Sequence, residues 1–439
     1  MKILNKFRLA IAVAVIGFVT SLVSASDRPN VVFLLSDDQG WNDYGFMGHE
    51  HIKTPNLDKL AAAGLLYERG YVTAPLCRPS LASLATGLYP HQIGIRGNDP
   101  VMPEGKSKRD KELFAQMRAK MTAPFSECTT FIEVLKDNGY LTLQTGKWWE
   151  ENPLDHGFTD AMTHGDATKG GRHGDVGLKI GRSTMKPFHD IVERSQAEGK
   201  PFFMWYGVYL PHFPHDAPDR IYNKYKDIAP DVPTARYWAN VEWFDETCGQ
   251  IVEYLKEEGL YDNTVFVYTC DNGWVQNPKK TNRSVRSKRE PTEGGIRTPI
   301  FITHEPSIKP IRDRETLASN IDVAPTILRI CGIEPPAVMQ GLDLRDPDQL
   351  KKRNRVFVDV YDHDSDLSQL DDLKHGLKAW VVVDGWDKLT MWRTRKELFN
   401  LKNDADDRVN LASNNPAKVN KLSNLIDQWV KETPMLVSE

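Results

Sequence analysis

The feature that most constrains this chain is a series of short apolar runs that alternate with amphipathic helical patterns. Each run is long enough for one buried strand, and the runs cover residues 31–35, 141–145, 202–208, 264–269 and, less clearly, 299–302. Helical patterns separate or follow them, at residues 55–63, 130–138, 187–198, 235–258 and 322–330. Strands that alternate with helices are typical of an α/β fold, so we expect a large, mostly parallel sheet flanked by helices.

The pattern changes beyond about residue 345. Short strands are predicted at residues 356–360, 379–383 and 388–392, and residues 409–430 form a polar loop followed by a helix. We therefore expect a smaller C-terminal α+β subdomain over residues 346–439, after a larger unit over residues 26–345; the 439 residues are enough for one large core with an appendage. Residues 98–127 are charged and weakly periodic, which predicts an excursion on the surface.

The N-terminus has the three parts of a secretory signal peptide. Lys2, Lys6 and Arg8 precede an apolar run over residues 9–20, and Val23-Ser24-Ala25 offers small residues for cleavage after Ala25. The run is shorter than the ~20 residues that a membrane span needs, although an uncleaved anchor is the alternative. Residues 1–25 therefore predict a secreted or periplasmic protein without stable membrane insertion after cleavage.

The net charge and the number of cysteines limit which partners and how many disulfide bridges are expected. The formal net charge is −4, and no basic bias indicates a nucleic-acid partner. The five cysteines are an odd number, so in an oxidising compartment at least one would stay unpaired and at most two bridges could form.

Polar clusters follow several of the predicted strands. Asp37 and Asp38 follow the first strand, and Asp271 and Asn272 follow the strand at residues 264–269. Ligands of open α/β sheets bind at the carboxyl ends of the strands, and these oxygen donors suit Ca²⁺ or Mg²⁺ better than zinc. The alternative is that both pairs only form turns. Two pairs at strand ends in one chain favour the metal site.

Cys77 begins a second segment of interest, Cys77-Arg78-Pro79-Ser80, which enters a short helix that ends at Gly87. A residue at a helix N-terminus lies where negative charge is favoured. Taken alone, Cys77 could equally be a buried structural thiol.

The ordered set of motifs resembles the formylglycine-dependent sulfatase family, which is similar to arylsulfatases and has an alkaline-phosphatase-like fold. The resemblance covers roughly residues 28–430 and includes Lys288 at the spacing that the family shows. The matching segments are Asp-Asp at 37–38, T-P-N-L-D at 54–58, C-x-P-S at 77–80, G-K-W at 146–148, His212, D-N-G at 271–273, E-G-G-I-R-T-P at 293–299, E-L-F-N-L at 397–401 and N-L-A at 410–412.

The resemblance implies a reaction and a role for each site residue. A formylglycine-generating enzyme would convert Cys77 to formylglycine (3-oxoalanine), whose hydrate would attack the sulfur of a sulfate ester. Lys147 and Lys288 would neutralise the sulfate oxygens, and His212 would protonate the leaving alcohol. Residue 77 would share Ca²⁺, or Mg²⁺, with the ligands Asp37, Asp38, Asp271 and Asn272. The implied substrate is a sulfated carbohydrate or an aryl sulfate.

Two positions depart from the family pattern. Leu81 stands where the family has the arginine of C-x-P-S-R, and Trp149 stands where it has the histidine of G-K-W-H. Tryptophan cannot carry a proton between groups, so either Trp149 shapes a different pocket or another histidine acts as a base. The nearby candidates are His156, His164 and His173. Four tryptophans lie beside these motifs: Trp41, Trp148, Trp149 and Trp274. They could stack on the rings of a sugar substrate, or they could be residues of the hydrophobic core.

Two other functions compete with a sulfuric ester hydrolase. A phosphodiesterase or phosphonate monoester hydrolase could use the same metal and lysines. A catalytically inactive protein that binds sulfated glycans could keep the same residues without turnover.

Overall fold

The structure is a computed structural model that describes residues 28–370 and 372–436. The predicted signal peptide at residues 1–25 lies outside the described residues. The strands are β1 Asn30–Ser36, β2 Leu65–Tyr71, β3 Asp99–Pro100, β4 Leu141–Gly146, β5 Asp160–Ala161, β6 Phe202–Gly207, β7 Thr264–Cys270, β8 Arg297–Thr303, β9 Ile311–Asp313, β10 Ala318–Ser319, β11 Arg355–Tyr361, β12 Asp364–Ser365, β13 Leu377–Asp384, β14 Asp387–Trp392 and β15 Lys396–Asn400. The helices are α1 Pro55–Ala63, α2 Cys77–Thr86, α3 Pro90–Ile93, α4 Lys111–Ser126, α5 Phe131–Asp137, α6 Lys186–Glu198, α7 Asp219–Tyr225, α8 Val232–Glu257, α9 Glu293–Ile296, α10 Val323–Ile330, α11 Pro347–Arg353 and α12 Pro416–Glu432.

A mixed nine-stranded sheet forms the centre of the molecule, in the order β10-β2-β8-β7-β1-β6-β4-β5 with β9 beside β2. The strands β7, β1, β6 and β4 run parallel to one another, whereas β8 runs antiparallel to both β7 and β2. The predicted α/β fold is confirmed. The strand β2 was not predicted, because Glu68, Arg69 and Gly70 interrupt its apolar pattern.

The central strands are apolar on both faces because helices cover both faces. In β1 every residue is buried, with Val31 and Phe33 packed in one core cluster and Val32 and Leu34 in the other. The first cluster includes residues of α2, α5 and α10, and the second includes residues of α1, α6 and α8. A continuous apolar run is the expected pattern for a strand covered in this way.

The C-terminal part forms the predicted small antiparallel sheet, in the order β11-β13-β14-β15. The terminal helix α12 packs on one face of this sheet through residues such as Leu422 and Trp429. The other face packs against Tyr71, Val72 and Leu317 of the main unit. The subdomain is confirmed as an α+β unit, and its boundary near residue 345 stays a prediction. No helix among the described residues is both long and apolar enough to cross a bilayer.

The predicted surface excursion at residues 98–127 is mostly exposed over residues 101–112, but it continues into a helix that is packed on one side. The segment contains β3 and the helix α4, whose apolar side buries Phe114, Met121 and Phe125. Arg118 of α4 is also buried, and its guanidinium donates to the carbonyls of Asn98, at 2.9 Å, and of Trp149. The charged sequence concealed an amphipathic helix that packs beside the site.

Candidate active site

The two acidic pairs lie side by side because β1 and β7 are parallel neighbours. Ser36 and Cys270, their last residues, are paired in register, so both strands deliver the following residues to the same edge of the sheet. The backbone N–H of Asp38 donates to Asp271 Oδ1 at 3.2 Å. Asp37, Asp38, Asp271 and Asn272 are all buried. The strand-end prediction from the sequence correctly brought these four residues together.

Cys77 faces the acidic cluster from the first residue of α2. Its Sγ is within 4.8 Å of carboxylate oxygens of Asp37 and Asp271 and lies 2.8 Å from Lys288 Nζ. Burial raises the pKa of the thiol to about 12, despite the opposing charges of Lys147 and Lys288. All five cysteines are free thiols in the structure, so none of the bridges left open by the sequence is present.

The two lysines bridge the acidic cluster. Lys147 Nζ lies 2.6 Å from Asp37 Oδ2 and 2.9 Å from Asp271 Oδ2, and Lys288 Nζ lies 2.6 Å from Asp38 Oδ1. Burial and the neighbouring Asp271 raise the pKa of Asp37 well above its ordinary value. Burial has the same tendency at Asp38, but Lys288 and His212 lower its pKa to about 2.

The cluster fits a divalent cation. Asp37 Oδ1, Asp38 Oδ2 and Asn272 Oδ1 are buried and have no hydrogen-bond donor among the described residues. Buried polar atoms are nearly always satisfied, and carboxylate and amide oxygens are the ligands that Ca²⁺ and Mg²⁺ prefer. A cation held between these oxygens would satisfy them and reduce the repulsion between Asp37 and Asp271.

His212 approaches the cluster from the loop after β6. The backbone N–H of Asp37 donates to the Leu210 carbonyl at 2.9 Å, which holds this loop against the end of β1. His212 Nδ1 lies 2.6 Å from the Phe213 carbonyl, an acceptor, so Nδ1 carries a proton. Nε2 faces Asp38 Oδ2 at 3.5 Å. Burial lowers the pKa of His212 well below its ordinary value, and Asp38 opposes that shift.

The two departures from the family pattern occupy different environments. Leu81 is part of the hydrophobic core, so no side chain from this position reaches the acidic cluster. Arg78 is fully buried and makes a bidentate pair with Glu150, with Nε–Oε1 at 2.7 Å and Nη2–Oε2 at 2.8 Å. The Arg78–Glu150 pair ties α2 to the G-K-W-W segment, a contact that sequence reasoning missed.

Of the three candidate histidines, His173 packs against Trp149. The His173 ring lies 5.0 Å from the Trp149 ring and 5.3 Å from the Tyr209 ring, centre to centre. His173 Nδ1 faces the carboxylate of Asp175. By contrast, His156 packs against Trp148 and Phe125 in the core. His164 is exposed.

A cavity of about 530 Å³ opens onto these residues. Of the four tryptophans singled out in the sequence, Trp149 and Trp274 line it, whereas Trp148 is packed in the core and Trp41 lies under the guanidinium of Arg297 at 3.9 Å. Lining residues that sequence reasoning did not identify are Asn98, Arg172, Tyr209, Phe213, Arg283, Arg289 and His363. They come from loops, where no periodic pattern marks them.

The fold, with this acidic and lysine-bearing site at the edge of its sheet, is that of the alkaline-phosphatase-like hydrolases. The family model described as Sulfatase matches residues 29–333, and the one described as N-sulphoglucosamine sulphohydrolase, C-terminal, matches residues 284–432. The chain belongs to the sulfatase family, and it is a sulfuric ester hydrolase.

Similar proteins include carbohydrate sulfatases. The chain is 27% identical over 377 residues to N-acetylgalactosamine-6-sulfatase of Canis lupus familiaris, covering 77% of this chain and 69% of that protein. It is 26% identical over 373 residues to an endo-4-O-sulfatase of Bacteroides thetaiotaomicron, covering 72% of each. A structure solved in complex with its substrate D-glucosamine-2-N,6-O-disulfate shares the fold, with a TM-score of 0.70, 18% identity and coverage of 92% of this chain and 98% of that one.

Proposed function

We propose that this protein releases sulfate from a sulfated carbohydrate, using formylglycine at position 77 and a Ca²⁺ ion held by Asp37, Asp38, Asp271 and Asn272. The observation that carries the proposal is the position of Cys77 Sγ, within 4.8 Å of the Asp37 and Asp271 carboxylates. Residues that are far apart in the sequence would supply the nucleophile position and the cation ligands of one small site.

The state of the thiol supports the modification. With a pKa raised to about 12 by burial, an unmodified Cys77 would be a protonated thiol near neutral pH and a weak nucleophile. Formylglycine would supply an attacking hydroxyl in its hydrated form, and the cation would supply positive charge that favours ionisation of that hydroxyl. Maturation would require a formylglycine-generating enzyme as a transient partner.

The remaining side chains bind the ester and move protons. Lys147 and Lys288, which flank Cys77, would meet the negative charge that develops on the sulfate oxygens. His212 would donate a proton from Nε2 to the leaving oxygen in its doubly protonated form, which the charge of Asp38 favours, while its Nδ1–H stays engaged by the Phe213 carbonyl. His173 would take up a proton at Nε2 in the step that frees sulfate, with Asp175 orienting the ring through Nδ1.

A carbohydrate substrate is supported by the cavity and by the relatives. Trp149, Tyr209, Phe213 and Trp274 give the cavity aromatic surfaces on which sugar rings can stack. The relatives include an N-acetylgalactosamine-6-sulfatase, whose name specifies a sulfated sugar, and an endo-4-O-sulfatase. The predicted signal peptide at residues 1–25 supports export to the periplasm or the medium, where such glycans would be met.

Mass spectrometry of the peptide that contains residue 77, combined with ester hydrolysis assays, tests the proposal. Protein from the native host should carry formylglycine at position 77 and hydrolyse aryl sulfate faster than the matching aryl phosphate. Cys77→Ala should lower the rate by about a thousandfold or more. The control Cys128→Ala removes a buried thiol outside the site and should leave the rate unchanged.

Three outcomes would contradict the proposal. Faster hydrolysis of the aryl phosphate would favour a phosphodiesterase or phosphonate monoester hydrolase. An unmodified thiol together with retained binding of sulfated glycans and no turnover would favour an inactive binding protein. A Cys77→Ala variant with full activity would exclude Cys77 as the nucleophile position.

A further inference from the structure

Two arginines that line the cavity carry positive charge and form no salt bridge with the described residues. Arg283 and Arg289 line the same space as Cys77 and Lys288. Both are partly exposed, and no carboxylate of residues 28–370 or 372–436 forms a salt bridge with either. Burial lowers the pKa of Arg289, and Arg283 acts in the same direction, whereas Asp364 and Glu290 oppose the shift. Two cations that line one cavity without a salt bridge to a carboxylate indicate a place for an anion.

The other cations of the cavity are already neutralised. Lys147 and Lys288 pair with the acidic cluster, and Arg172 donates to Asp99, with Nε–Oδ1 at 2.8 Å. With the proposed Ca²⁺ bound, the cluster and the lysines would account for one anionic group, the ester sulfate of the proposed reaction. Arg283 and Arg289 are therefore not required to bind that ester sulfate.

The backbone holds both arginines in place before any ligand arrives. Arg283 pairs with Gln276 across a bridge, and the N–H of Ser284 donates to the Val275 carbonyl at 2.7 Å. The N–H of Arg289 donates to the Pro75 carbonyl at 2.7 Å, just before Cys77. Arg289 has a φ of 75°, a left-handed conformation that is costly for a residue other than glycine. A backbone fixed in this way reduces the backbone entropy that is lost when a ligand binds.

We propose that Arg283 and Arg289 bind a second anionic group of the substrate, either a sulfate or a carboxylate, and so select saccharides that carry at least two anionic groups. The inference rests on the proposed function. The cavity of about 530 Å³ falls in the range of about 300–1,000 Å³ that is usual for small-molecule sites, so it has room for sugar beyond the ester sulfate. Guanidinium groups bind planar and tetrahedral oxyanions through paired N–H donors, which a lysine cannot match.

Binding to the Cys77→Ala form tests the inference without requiring turnover, so it is independent of whether the protein hydrolyses the ester. Calorimetry would compare sulfated disaccharides that bear a second sulfate, sulfated disaccharides that bear a uronate carboxylate, and matched disaccharides that keep only one sulfate. At least one two-anion ligand should bind more tightly than its one-anion match. Arg283→Gln and Arg289→Gln should each weaken that binding about tenfold and leave the one-anion ligands unchanged.

Lys279→Gln is the matched control, because it removes one positive charge from an exposed position on the same loop, outside the cavity lining. It should change neither class of ligand. The disulfated and the uronate arms show which oxyanion the arginines prefer. Equal affinity of two-anion and one-anion ligands for the parent would overturn the inference. So would equal losses for both classes in the arginine variants, or a loss of the same size in the lysine control.

Discussion

At the scale of single residues, the site combines groups whose charges oppose one another when no cation is present. Asp37 has a raised pKa because it is buried beside Asp271, and Lys147 lies between the two carboxylates. Cys77 is held as a protonated thiol by the same burial. These conditions are unfavourable for a plain cysteine nucleophile and favourable for a modified side chain that shares a cation with the carboxylates.

Trp149 stands where the family has a histidine, and a variant of His173 tests whether His173 takes over the role of that histidine. Burial lowers the pKa of His173 below 6.5, although Asp175 opposes that shift, so the ring is neutral and able to accept a proton near pH 7. His173→Ala should lower kcat about a hundredfold, the usual contribution of a general base. The acidic limb of the kcat profile should lie below pH 6.5 in the wild type and be lost in the variant. Steady-state rates between pH 4 and pH 8 measure both effects.

The matched control for this residue is His164→Ala, since His164 is exposed and does not line the cavity. Its kcat and pH profile should equal those of the wild type. An unchanged acidic limb in His173→Ala would show that His173 only packs between Trp149 and Tyr209.

At the scale of elements, the segment that contains β3 and α4 supports one wall of the cavity. Asp99 of β3 accepts from Arg172 Nε at 2.8 Å and from Lys108 Nζ at 2.8 Å. Burial alone would raise its pKa, but Arg172 and Lys108 hold that pKa well below the ordinary value of 3.8. A carboxyl group with a lowered pKa stabilises the fold at pH values above 3.8, and this contribution is lost as the pH falls below 3.8.

Asp99→Asn should therefore lower the free energy of unfolding by about 1–3 kcal/mol at pH 7, the range for a lost charged hydrogen bond. The difference from the wild type should shrink as the pH falls below 3.8, because the carboxyl of the unfolded chain then takes up a proton that the folded carboxyl resists. Urea unfolding curves at several pH values measure the difference. Glu112→Gln, an exposed change in the same segment, should have little effect at any pH. A destabilisation that is the same at pH 7 and pH 3 would contradict the linkage.

The strands of the central sheet and the helix α4 show which elements could be predicted from the sequence and which could not. Continuous apolar runs identified β1, β4, β6 and β7, because strands buried on both faces have few polar residues. Glu68 and Arg69 hid β2, and charged residues hid the apolar side of α4. Long-range contacts, such as the hydrogen bonds from Arg69 to the Glu315 and Gly385 carbonyls, compensate for these polar residues, and no local pattern reports them.

At the scale of the whole molecule, the site follows from the order of strands in the central sheet. Because β1 lies between β6 and β7, one edge of the sheet collects Asp37 and Asp38, Asp271 and Asn272, and the loop of His212. The positions of these residues could be predicted, since parallel strands end at a common edge. The residues of the cavity rim could not be predicted, because Arg172, Arg283 and Arg289 come from irregular loops.

Calorimetric titration of EDTA-treated protein with Ca²⁺ tests the central claim, a cation held by the acidic cluster beside residue 77. The wild type should bind one Ca²⁺, and its melting temperature should rise with the free Ca²⁺ concentration, because only the folded state offers the site. Asp37→Asn should weaken Ca²⁺ binding at least about tenfold, a loss of about 1.4 kcal/mol. Asp216→Asn, which changes a half-exposed carboxylate paired with Arg182 outside the cluster, should bind as the wild type does. Equal Ca²⁺ affinity in Asp37→Asn and the wild type, or a wild type that binds no Ca²⁺, would contradict the account.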